Sequence, residues 1–246
     1  MDLQQKLTEY FGYHSFRTGQ REVIERLLQG RDVIALLPTG MGKSLCYQLP
    51  GYLFDKPVLI VSPLLSLMQD QVDQLKQLGE KRVIALNSFL TPGQKKYALH
   101  YLHEYRFIFT SPEMLTQPQV RERLSKIEFS LIVADEAHCI SQWGFGFRPD
   151  YLRIGEVLQA NRPPLLALSA TATSTVLEDI KAYLHMQEPF MFIGNVDRPN
   201  ISIAQKTFVA KEEKFQWILQ HVKRSAGPGI IYTGSRKKAE HLASSC

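Results

Sequence analysis

Eight short aliphatic runs punctuate this chain of 246 residues, at 33–37, 58–61, 83–86, 107–110, 131–134, 165–169, 190–193 and 230–232. They are near-continuously apolar rather than alternating, which suits strands covered on both faces. Helix-like stretches separate them. Across 63–78, Leu64, Met68, Val72, Leu75 and Leu78 recur at spacings of three and four, one face of a helix. Ser62 can cap that helix and Pro63 suits its first position; Thr91 and Pro92 repeat the signal before the next one. Strand alternating with helix predicts an α/β fold, a doubly wound, mostly parallel sheet flanked by helices. With 44% apolar residues, the chain has enough Leu, Ile, Val and Phe to bury such a core, which excludes wholesale disorder.

The polar stretch 195–205, with Pro199, reads as a crossing between domains. Beyond it, a helix pattern at 211–224, a Gly-Pro-Gly turn at 227–229, a strand at 230–232 and a helix from Ser235 read as the opening of a second α/β domain. A net charge of +5 and a pI near 9.0 are compatible with a polyanionic partner. Cys46, Cys139 and Cys246 contain no Cys-x-x-Cys pair, so they suggest buried or incidental thiols rather than a zinc site or disulfide framework. Residues 1–12 lack a basic, then apolar leader pattern, and the aliphatic runs are far shorter than a membrane span. These features predict a protein of the cytosol or of intracellular nucleic acid, with no membrane partner.

Residues 36–44 read LLPTGMGKS, a strand running into a glycine-containing loop and then a helix. That is the setting of a phosphate-binding loop. Gly40 and Gly42 let the backbone approach phosphate oxygens, and the amides of Thr39 to Ser44 point at the anion. Lys43 would reach the β- and γ-phosphates, and the Ser44 hydroxyl would ligate Mg²⁺. The usual first glycine of the pattern is Leu37 here. A nucleotide-hydrolysing site also needs carboxylates at the end of a neighbouring buried strand. LIVADEAH at 131–138 supplies them. Asp135 would hold the Mg²⁺ shell, and Glu136 is placed to accept a proton from an attacking water. His138 reads as a link from the phosphate site to later motifs.

Further stretches follow in order: FGYHSFRTGQ (11–20), PLLSLMQDQV (63–72), TSPEML (110–115), DEAHCISQWGFGFRPDY (135–151), SATAT (169–173), DRPN (197–200) and IIYTGSR (230–236). Together with the phosphate loop they strongly resemble the RecQ family of superfamily 2 DNA helicases, across essentially the whole chain. The resemblance implies a RecA-like P-loop NTPase domain over 1–200 and, over 201–246, a linker with the incomplete start of a second such domain. It implies ATP and Mg²⁺ as cofactors and 3′-to-5′ unwinding in DNA repair and recombination. The implied partners are single-stranded and partly duplex DNA, with single-strand-binding or recombination proteins alongside a monomeric motor. The implied location is the cytoplasm, at the nucleoid, or the nucleus for a eukaryotic source. Gln20 would recognise adenine, with Tyr13 and Arg17 lining the base. Trp143, Phe147 and Arg148 would contact single-stranded DNA by stacking and phosphate pairing. Ser169 and Thr171 would join hydrolysis to strand separation. Leu65, Ser66, Gln69, Ser111 and Glu113 are weaker candidates for DNA contact.

The usual family pattern places a His-Asp pair where this chain has Phe145 and Gly146, which bears on how tightly DNA binding triggers hydrolysis. The family's arginine finger belongs to a motif, Gln-x-x-Gly-Arg-x-Gly-Arg, that these 246 residues do not contain. Such fingers contribute about 10³- to 10⁵-fold in phosphoryl transfer, so weak turnover is expected of this chain alone. The alternative reading is a nucleotide- and DNA-binding module without its own helicase activity. A small-molecule kinase is disfavoured, because it gives no reason for the FRPDY and SATAT segments. Trp143→Ala is expected to reduce DNA-stimulated hydrolysis more than basal hydrolysis; equal loss of both contradicts a coupling role.

Overall fold

The computed structural model describes residues 2–142, 144, 146–157, 162–195, 201–225 and 227–244. Trp143, Phe145, Cys246 and the 197–200 segment lie outside them. The chain divides into two compact units, Met1–Asp197 and Arg198–Cys246.

In the first unit seven strands form one sheet: β1 (Val33–Leu36), β2 (Val58–Val61), β3 (Val83–Leu86), β4 (Phe107–Thr110), β5 (Leu131–Ala134), β6 (Leu165–Ser169) and β7 (Phe190–Ile193). Their order is β3-β4-β2-β5-β6-β1-β7, and every recorded pairing is parallel. Seven of the eight aliphatic runs are thus strands. The helices are α1 (Leu3–Phe11), α2 (Gln20–Leu28), α3 (Leu45–Leu53), α4 (Leu65–Gln77), α5 (Pro92–His100), α6 (Pro112–Leu115), α7 (Pro118–Leu124), α8 (Ile154–Val157) and α9 (Ser174–Tyr183).

Alternate strand residues enter two separate cores. Ile34, Leu59, Val61, Ile108, Ile132 and Ala167 face one, with Leu99, Val120 and Ile180 from the covering helices. Val33, Ala35, Val58, Ile60, Phe109 and Val133 face the other, with Val23, Met68 and Leu75. The inner strands are buried at every position and almost wholly apolar, with only Thr110 and Ser169 at strand ends, because both faces are covered, so the doubly wound expectation holds; edge strand β7 is only partly covered. All strands run the same way, so their C-terminal ends share one rim, where such folds carry their sites.

The helix signals succeed unevenly. Thr91 caps α5 as expected: its hydroxyl accepts from the Gln94 N–H, while the Gln94 side chain accepts from the Thr91 N–H at 3.0 Å, a complete capping box. Pro63 does not open α4. That helix starts at Leu65 with Leu64 at the cap position and no side-chain cap, so Ser62 stands ahead of the cap position, and its hydroxyl donates to the Asp135 carboxylate (3.3 Å). Helix α3 likewise starts at Leu45, after rather than at Lys43.

The second unit contains α10 (Lys211–Arg224) and α11 (Arg236–Ala243), at the helix patterns read above. Ser235 caps α11 by accepting from the Lys238 N–H at 3.3 Å. The expected strand at 230–232 does not form. No neighbouring extended segment hydrogen-bonds to it among the described residues, and Ile230 and Tyr232 are 80% and 91% exposed. Its apolar composition predicts a strand only where a sheet receives it.

Candidate nucleotide-binding site

The phosphate loop leaves β1 and the DEAH segment leaves β5. These strands are not neighbours, as the sequence suggested; β6 stands between them. Parallel pairing nevertheless brings both loops to one rim. The Lys43 Nζ lies 3.0 Å from Glu136 Oε1, with both side chains about four-fifths buried. Gly40 and Gly42 take φ of +86° and +73°, which glycine adopts without strain. A Cβ at Gly42 would stand 2.6 Å from the Gln20 side-chain nitrogen.

Gln20 explains that closeness. It is 3% exposed, and its Nε2 donates to the carbonyls of Met41 and Gly42, each at 3.0 Å. Its Oε1 accepts from the Arg17 N–H at 2.8 Å. The Arg17 guanidinium donates to the Gly40 carbonyl. Gln20 and Arg17 therefore clip the loop directly, a role the sequence reading did not assign. Tyr13 is 57% exposed, so it is no core residue, whereas Phe16 packs against the α1–α2 cluster. Tyr13, Arg17, Gln20, Gly42 and Ser44 line one cavity of about 650 Å³, a volume within the range of small-molecule sites.

Asp135 and Glu136 differ in environment. Asp135 accepts from the Glu136 N–H (3.1 Å) and the Ser62 hydroxyl (3.3 Å). Burial, then the adjacent Glu136 carboxylate, raises its pKa to about 6 despite Lys43 and these hydrogen bonds. The protein's own groups leave this anion short of positive charge, which a bound cation would supply. Ser44 makes no side-chain cap to α3. A hydroxyl and a carboxylate are suitable oxygen donors for Mg²⁺, so the residues fit the expected ion. Glu136 holds a φ of +50°, a conformation costly for a non-glycine residue and characteristic of functional turns.

A relay leads away from Glu136. His138 Nδ1 lies 3.5 Å from Glu136 Oε2 and 2.9 Å from Ser169 Oγ. The Ser169 hydroxyl donates to the Thr171 carbonyl at 2.8 Å, so Ser169 accepts from His138, which places a proton on Nδ1. Burial lowers the His138 pKa, against the pull of Glu136, favouring the neutral ring. The expected link between the phosphate site and the SATAT segment is thus a continuous set of contacts.

The stretch from Ser141, which carries the ring residues of the 135–151 segment, starts from the same framework. A Cβ at Gly144 would lie 1.9 Å from the His138 carbonyl oxygen, so no larger residue fits this turn. Ser141, fully buried, donates to Asp179 at 2.5 Å. Phe147 is 38% exposed, and the Arg148 guanidinium pairs with the Glu113 carboxylate, joining two segments read as DNA contacts. Gly146 takes a φ of +77°.

Two supports escaped the sequence reading, Ser62 and Tyr151. The Tyr151 hydroxyl is buried and donates to the Asp135 carbonyl at 2.6 Å. Tyr151→Phe removes that donor and is expected to cost about 1–2 kcal/mol, measured by urea unfolding; an unchanged midpoint contradicts it. Cys46 and Cys139 are buried as expected, and burial raises their pKa to about 12 and about 11, so neither is a thiolate nucleophile near neutral pH.

This fold and site define a class. The chain belongs to the DEAD/DEAH box helicase family, which matches residues 17–180. Among individual proteins it is 50% identical over 242 residues to the probable ATP-dependent DNA helicase RecS of Bacillus subtilis, covering 98% of this chain and 49% of that one. It is 41% identical to the ATP-dependent DNA helicase RecQ of Pasteurella multocida, covering 96% of this chain and 37% of that one. The chain spans about half or less of the length of these curated relatives. The DUF1998 helicase MrfA shares the fold, with a TM-score of 0.74 at 18% identity over 99% of this chain and 40% of that one. So does the Pyrococcus furiosus Hef helicase domain, with a TM-score of 0.59 at 22% identity over 83% and 46%.

Proposed function

We propose that this chain is the nucleotide-binding part of a RecQ-type, ATP-dependent 3′-to-5′ DNA helicase that serves DNA repair and recombination, working on DNA in the cytoplasm or nucleus. The observation that carries this reading is the convergence of the Lys43 ammonium and the Glu136 carboxylate at one sheet rim, 3.0 Å apart. The cavity of Tyr13, Arg17, Gln20 and the phosphate loop lies beside it.

In this reading Lys43 exchanges its Glu136 contact for the β- and γ-phosphates of ATP. Ser44 and Asp135 would hold Mg²⁺, which neutralises phosphate charge and orients the terminal phosphoryl group. Glu136, released from Lys43, accepts the proton of the attacking water. His138 follows the changed charge on Glu136 and passes the difference through Ser169 to the 169–173 segment, while the Arg148–Glu113 contact sits where a DNA phosphate can compete for the guanidinium. Tyr13 offers a ring face to the base, and Gln20 meets its edge by giving up one carbonyl of the loop.

Binding of a fluorescent ATP analogue, with and without Mg²⁺, and of labelled oligothymidylate across a salt series tests the proposal. Magnesium-dependent nucleotide binding and a steep salt slope for DNA are expected. Nucleotide binding indifferent to Mg²⁺, or a flat salt slope, contradicts it.

A further inference from the structure

Helices α5 and α7 flank a groove of about 930 Å³ that the nucleotide site does not use. Lys95, Lys96, Tyr97, His100 and Tyr101 line it from one side and Arg123 from the other. Tyr97 is 62% exposed, and its ring centroid lies 4.6 Å from that of Tyr101, one helical turn on. His100 meets Tyr101 edge-on at 4.7 Å. Lys95 is hydrogen-bonded to Gln117. Lys96 and Arg123 have no ion-pair partner among the described residues. Glu122, the only carboxylate in the lining, is already neutralised by Lys126 at 2.7 Å. The groove is therefore cationic with exposed ring faces.

Its position adds a direction. Helix α5 follows the loop that leaves the C-terminal end of β3, and Leu90 of that loop lines the groove. The buried Asn87 side chain fixes the loop by accepting from the Phe89 N–H at 3.0 Å, leaving the Phe89 ring 74% exposed. Helix α7 follows the segment after β4 that carries Ser111 and Glu113, and β4 is the sheet neighbour of β3. The groove thus begins at the same rim as the DNA-contact candidates.

We propose that this groove takes a stretch of single-stranded nucleic acid, with phosphates on Lys96 and Arg123 and a base on the Tyr97 ring, extending the strand's path from the rim along the α5–α7 flank. Cations interleaved with aromatic faces are how proteins hold single strands without reading sequence. An acidic peptide would use the same cations, but the exposed rings and the continuity with the rim favour a nucleic acid. The inference rests on the helicase reading above.

The test compares the whole chain with its Lys96→Ala/Arg123→Ala double variant and with Tyr97→Ala and Tyr97→Phe, using fluorescence anisotropy of a labelled oligothymidylate of about 16 nucleotides across a salt series. Losing two phosphate contacts is expected to flatten the log–log salt slope by about 1.4. Tyr97→Ala is expected to weaken binding about tenfold, with Tyr97→Phe restoring it. Binding of the ATP analogue should be unchanged in all three, which shows that they are folded. Unaltered slope and affinity in the variants, with the parent chain still binding DNA, overturn the groove and leave the helicase reading standing. No salt-dependent binding by the parent chain overturns both. A polyglutamate peptide that loses affinity in the double variant while oligothymidylate does not would reassign the groove to a protein partner and overturn the proposal.

Discussion

Asp135→Asn is expected to make the magnesium-free protein more stable near neutral pH and to abolish its magnesium-dependent binding of ATP. The Asp135 carboxyl is pushed up to about 6, first by burial and then by the adjacent Glu136 carboxylate. Its folded pKa thus lies above its unfolded value of about 4. The stability this group contributes is fully present below about pH 4 and is lost as pH rises through about 6. A shift of about 2 units, at about 1.4 kcal/mol each, makes the loss about 3 kcal/mol by pH 7. Asparagine cannot ionise and escapes it. Thermal scans from about pH 4 to pH 8 should therefore show the two proteins converging in acid. They should separate by roughly 10 °C near neutrality, since each kcal/mol moves a domain of this size by about 2–4 °C. Parallel curves would contradict an uncompensated Asp135. In the parent protein Mg²⁺ with ATP should restore the lost stability; in the variant it should not.

Lys43→Ala is expected to lower affinity for ATP by about 10²-fold, the scale of a charge-assisted contact to phosphate in a sheltered site. It also strands the Glu136 carboxylate. Removing one member of a largely buried pair leaves the other without its counter-charge, so stability should fall by about 1–2 kcal/mol. The double variant Lys43→Ala/Glu136→Gln separates the two effects. Removing the second charge should recover most of the stability, but no nucleotide affinity. Denaturant unfolding and equilibrium binding, measured on all four proteins of the cycle, check this. Full recovery of ATP binding in the double variant would mean that Lys43 does nothing beyond neutralising Glu136.

The sheet was readable in advance because a parallel strand with both faces covered leaves an unbroken apolar run. Residues 58–61 and 131–134 need no tertiary information to be recognised. Strand order was not readable. That β6 stands between β1 and β5 depends on where each crossover helix packs, and no local pattern encodes that. The same divide runs through the site. Lys43, Ser44, Asp135 and Glu136 announce themselves by motif, whereas Gln20's hold on the Met41 and Gly42 carbonyls spans more than twenty residues. Ser62 read as a helix cap because a Ser-Pro pair carries that signal, yet the helix begins only at Leu65, and the Ser62 hydroxyl donates to the Asp135 carboxylate that β5 brings beside it. Tyr151 sits in a recognised segment, but its bond to the Asp135 carbonyl exists only once the chain between them has folded back. The strand expected at 230–232 fails for the converse reason: composition is local, but a sheet is not.

The central claim is that the Lys43–Ser44 turn and the Asp135–Glu136 pair close around one magnesium-bound triphosphate. A crystal structure of the chain with Mg²⁺ and a non-hydrolysable ATP analogue tests it most directly. The expected result is a metal about 2.1 Å from the Ser44 hydroxyl oxygen, with Asp135 beside it directly or through one water and the Lys43 ammonium moved from Glu136 onto the phosphates. A nucleotide bound elsewhere, or Lys43 still paired with Glu136 in its presence, would contradict it.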